Sequence, residues 1–60
     1  MTTSQAHAVQ EAAKKLTPEQ LEIVVRVAVA AREDGLSILD AQAKGLREAI
    51  GFKLPQPDAN

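Results

Sequence analysis

The segment from Thr17 to Gly35 constrains this chain most, because it is punctuated as a helix yet has almost no polar face. Thr17-Pro18-Glu19-Gln20 carries a helix start in four consecutive residues. The threonine hydroxyl can cap, and the proline suits the first helical position, where a missing N–H costs nothing. The glutamine stands where a capping box needs its second partner, and Leu16 and Leu21 occupy the two places of a hydrophobic staple. The stop is Gly35 followed by Leu36, the glycine-plus-apolar pair of a Schellman turn.

Between those signals, at about 100° per residue, Glu19, Glu22, Arg26 and Glu33 collect in one narrow sector of the wheel. Ile23, Val24, Val25, Val27, Ala28, Val29, Ala30 and Ala31 fill most of the remainder, and Gln20, Arg32 and Asp34 interrupt only near the ends. A surface helix ordinarily shows an apolar stripe a little over about 100° wide, and one that is apolar nearly all round is buried on most sides. The run Ile23–Val29 is β-branched enough to read as a strand. The capping box, the unbroken length and the alanines at 28, 30 and 31 favour the helix.

Two further helices follow from the same kind of punctuation. Ser37-Ile38-Leu39-Asp40 reads as a cap and first turn, and Gly51-Phe52 as a stop that lets Phe52 fold back on Leu46. Ile38, Leu39, Ala43, Leu46, Ala49 and Ile50 share one side of that helix. Asp40, Lys44, Arg47 and Glu48 take the other, with Asp40/Lys44 and Lys44/Glu48 spaced for pairing. Ala41, Gly45 and Ala49 form a stripe of small residues that admits a neighbouring backbone. Gly45 costs about 1 kcal/mol relative to alanine in a helix interior, so a packing reason is expected. Upstream, Thr3 or Ser4 caps a first helix with a narrow stripe of Ala6, Val9, Ala12, Ala13 and Leu16. The expected architecture is therefore all-α, a helical hairpin or three-helix unit over about 4-15, 18-34 and 38-50. Residues 1-54 form one small domain, and 55-60, with Pro55 and Pro57, an extended tail.

A chain of 60 residues has little core to spend on covering such a helix. A domain of this size buries only about 60% of the surface its unfolded chain exposes. Small domains compensate with disulfides, a metal, oligomerisation or close helix packing. With no cysteine and a single histidine, the first two are not expected. Self-association, most simply as a homodimer, is what remains. Leu21, Val24, Ala28 and Ala31 are assigned to the third helix, and Ile23, Val27 and Ala30 on one flank, with Val25 and Val29 on the other, to a partner. The expected function is a small protein–protein interaction module, regulatory, inhibitory or adaptor in kind.

Other classes find less support in the residues. Ser4 and Ser37 are better explained as helix caps than as nucleophiles, and the carboxylates are spread over solvated helix faces rather than converging in a cleft. His7 has Glu11 one turn later, which reads as a solvated ion pair, and Lys14-Lys15 as a solvated face. No glycine-rich phosphate loop is present, so no enzyme, cofactor or metal is expected. Seven basic against eight acidic residues give no overall attraction to nucleic acid or anionic membrane. The apolar run Ile23–Ala31 is far shorter than the roughly 20 residues that span a bilayer. Met1–Gln5 lacks the basic start and apolar core of a signal peptide, so a soluble cytoplasmic protein is expected.

The main alternative is DNA binding. Ala31, Gly35 and Leu36 resemble the small, turn and apolar positions of a helix-turn-helix, with Lys44 and Arg47 as candidate DNA contacts. Against it, Asp34 holds a position that is usually apolar, and Asp40 and Glu48 share the exposed side of the reading helix. A second alternative is a structural subunit of a larger assembly. Glu33 and Asp34 stand at the C-terminal end of the central helix, where the macrodipole disfavours negative charge. They form a candidate acidic docking site for a basic partner, or simply gain from the N-terminus of the following helix, with Arg32 assisting.

Overall fold

In the computed structural model, which describes residues 3–55, the chain folds into three helices. They are α1 (Thr3–Lys14), α2 (Pro18–Glu33) and α3 (Ile38–Ile50). No strand occurs among the described residues, so the β-branched run Ile23–Val29 is helical. The capping box forms in full: the Gln20 backbone N–H donates to Thr17 Oγ1 at 3.2 Å, and the Thr17 N–H donates to Gln20 Oε1 at 3.0 Å. Ser37 Oγ accepts from the Asp40 N–H at 3.1 Å and starts α3 in the same manner.

The helix ends are equally local in origin. Gly35 adopts φ 96°, a region that costs a side chain but not glycine. This lets the Leu36 N–H donate to Ala31 O at 3.1 Å and the Gly35 N–H to Arg32 O at 3.0 Å, which is the Schellman pattern. Arg32 Nη1 adds a bond to Leu36 O at 2.8 Å across the turn. At the end of α3 the Gly51 N–H donates to Arg47 O at 2.9 Å, and the Phe52 N–H reaches Leu46 O at 3.4 Å. Phe52 thereby packs against the core beside Leu46, as its spacing implies.

Several boundaries differ from the sequence expectation. α1 already includes Thr3 and ends at Lys14, so Thr3 and Ser4 lie inside the helix rather than before it. Asp34 is the C-cap of α2 and not its last helical residue. Of the tail expected over 55-60, Pro55 is placed and the rest lies outside the described residues.

α2 and α3 run antiparallel and pack closely. Val24 is buried against Gly45 at mid-length, and Ala31 of α2 and Ala41 of α3, nearer the turn, are each 1% exposed. The reason for a glycine at 45 is steric. A Cβ there would stand 2.7 Å from Val24 O and 3.0 Å from Val24 Cα, so any side chain would push the two backbones apart. α1 packs on α3. The core is the small cluster of Val9, Val24 and Leu46, one large residue from each helix. Leu16, Leu39, Phe52 and Leu54 close around it. No helix among the described residues is long and apolar enough to cross a membrane.

Candidate interaction surface

Among the described residues, three large apolar side chains are buried, yet six others are left largely open: Leu21 47%, Ile23 42%, Val25 53%, Val29 55%, Ile38 60% and Ile50 42% exposed. Four of the six belong to α2. The wheel explains how they are arranged. Val24, Ala31 and half-buried Ala28 point toward α3, and the helix then shows an apolar flank on each side of that contact line.

One flank carries Leu21, Val25 and Val29 at successive turns. Because α1 docks on α3, the space between α1 and α2 remains a groove of about 290 Å³. Val9, Gln10 and Ala13 line it from α1, and Leu21, Val25 and Val29 from α2. Ala28, Val29 and Gln42 also border a second groove of about 440 Å³, which runs on between α2 and α3 to Ile38, Arg32 and Glu33. The two grooves therefore join into one apolar face from Leu21 to Ile38. The other flank is narrower: Ile23 and Ala30 are exposed, while Val27 is half-buried.

Leu21, expected at the α3 contact, is instead 47% exposed and lines the groove beside α1. It lies about 60° round the wheel from Val24, on the α1 side, where no helix closes over it. Its staple partner Leu16 turns instead onto the Val9–Val24–Leu46 cluster. Ile38, grouped by periodicity with the buried side of α3, is the most open of the large apolar residues because it sits in the first turn, at the edge of the hairpin. Periodicity carried the signal for an uncovered arc, but not for Ile38 joining it.

The charged groups are also placed. Glu33 and Asp34 are both exposed, and Glu33 borders the Ile38 groove. Glu11 pairs with Lys14 Nζ at 3.1 Å rather than with His7, which is exposed. The other ion pair among the described residues is Glu22–Arg26 at 3.4 Å. Asp40/Lys44 and Lys44/Glu48 are therefore not closed, despite their spacing. Lys44 and Arg47 instead border a third groove, of about 530 Å³, between α3 and the segment Phe52–Leu54. Among the described residues, no cluster of three or more His, Asp or Glu side chains is placed to hold a metal ion.

The hairpin departs from helix-turn-helix geometry. In that motif the two helices diverge at about 90–120° after the turn. Here Val24, nine residues before the end of α2, is still in contact with Gly45, seven residues into α3.

No known protein family, no curated protein and no solved structure matches this chain.

Proposed function

We propose that this protein is a small protein–protein interaction module that docks, and self-associates, through the uncovered apolar face of α2. One observation carries the reading: Leu21, Val25, Val29 and Ile38, each about half exposed, line two joined grooves on one side of the molecule. Isolated apolar residues on a surface are ordinary, but a contiguous patch bordered by charge marks an interaction site. Arg32 and Glu33 supply that border at the Ile38 end. Ile23 and Ala30 on the opposite flank form a secondary contact. The simplest partner is a second copy of the chain, giving a symmetric dimer in which the same patch meets itself. Regulation, inhibition or adaptor function would then act through whichever partner competes for, or adds to, that face.

Replacing Val25 and Val29 by glutamate tests the reading. Both are exposed and outside the core cluster, so the double variant should keep its helical circular dichroism. In sedimentation velocity it should sediment as a monomer where the unmodified chain does not. A variant that remains folded and associates like the unmodified chain would remove the α2 face from the interface.

A further inference from the structure

The groove between α3 and the C-terminal segment has a different chemistry from the α2 face, and no residue of α2 lines it. Lys44, Arg47 and Lys53 stand on its border with Asp40 as the single acid, a local excess of two positive charges in a chain whose net charge is −1. None of the three cations is held in an ion pair among the described residues. The floor is apolar, with half-buried Phe52 and Leu54. Two turns of sequence logic produce this arrangement. The spacing of Lys44 and Arg47 puts both on one side of α3, and the return of the chain after Gly51 brings Phe52, Lys53 and Leu54 alongside them.

We propose that this groove binds an acidic peptide segment carrying an apolar anchor residue. Carboxylates of the ligand would pair with Lys44, Arg47 and Lys53, while the anchor covers Phe52 and Leu54. Exposed ion pairs contribute little individually, so the apolar floor is what makes the site more than a diffuse charge. Duplex nucleic acid fits less well. A concave groove does not enter a DNA groove, and Asp40 on the border would face phosphates.

The chain has no Trp or Tyr, so the fluorescence of a tryptophan in a probe peptide reports binding without background. The probe is a short capped peptide with Glu and Asp flanking a central Leu-Trp pair. It is titrated into the full ¹⁵N-labelled chain at low salt while amide shifts are followed. Saturable shifts centred on Lys44, Arg47, Phe52 and Lys53 are expected. So is an affinity loss of about tenfold or more in the folded K44E/R47E variant, in keeping with removal of charge-assisted contacts, with the association of the chain through α2 unchanged. Four results would each overturn the proposal: no saturable shifts, equal binding of a Glu-only peptide, equal binding of a Lys-flanked Leu-Trp peptide, or tighter binding of duplex DNA at the same amides. A fall in oligomeric mass on K44E/R47E would also overturn it, by giving the groove to a second copy of the chain. Failure of the α2 interface would leave these shifts untouched, so the two readings fail separately.

Discussion

At Gly45 the backbones of α2 and α3 come as close as they do because one residue lacks a side chain. An alanine there gains about 1 kcal/mol of helix propensity. Its Cβ must nevertheless displace the Val24 carbonyl, which cannot swing aside as a flexible side chain would. Overpacking of this kind costs about 1–3 kcal/mol, so Gly45→Ala should be net destabilising by about 1 kcal/mol in urea unfolding. An increase in stability would show that the helices separate at no cost. Leu46 is the complementary case. It is the largest side chain fully removed from solvent and touches the core from α3. Truncating a buried leucine costs about 2–5 kcal/mol, which a domain of this size can hardly absorb. Leu46→Ala should therefore lose most of its cooperative thermal transition by circular dichroism, and an unaltered transition would contradict the assignment of the core. The small-residue stripe made a close approach at Gly45 legible in the sequence. That it is the Val24 backbone which approaches was not, because the wheel of α3 shows an open side without showing who fills it.

The elements are held by two kinds of signal, and only one of them is local. Thr17, Gln20, Ser37, Gly35 and Gly51 act on backbone groups within a few residues, so α2 and α3 could be bounded to within a residue from sequence. The placement of α1 could not. Its stripe is narrow, and which neighbour it meets depends on a choice between the two other helices. The choice falls on α3, and the segment after Gly51 supports it. Gln5, 8% exposed, donates through Nε2 to Pro55 O at 2.7 Å, joining residues fifty positions apart. Nothing in the spacing of a glutamine and a distant proline announces such a bond. Gln5→Ala should cost about 0.5–1.5 kcal/mol, the net worth of an ordinary hydrogen bond. It should also shift the amide resonances of Lys53 and Leu54 more than that of Val24. A uniform change across the chain would mean that the segment is held by its apolar contacts alone. The exposure of Leu21 has the same origin: with α1 committed to α3, the α1–α2 groove stays open.

For the whole molecule, what matters is the balance of covered and uncovered apolar residues. Fully burying one Val, Leu or Ile side chain stabilises by about 1.5–3 kcal/mol, and this chain completes that gain for Val9, Val24 and Leu46. It leaves Leu21, Ile23, Val25, Val29, Ile38 and Ile50 with much of theirs outstanding. A second copy of the chain is expected to cover the face from Leu21 to Ile38. Light scattering coupled to size exclusion, run on the unmodified protein over a range of micromolar concentrations, tests this most directly. The expected result is a species of twice the 6.4 kDa chain mass that dissociates on dilution. A monodisperse monomer throughout that range would contradict it.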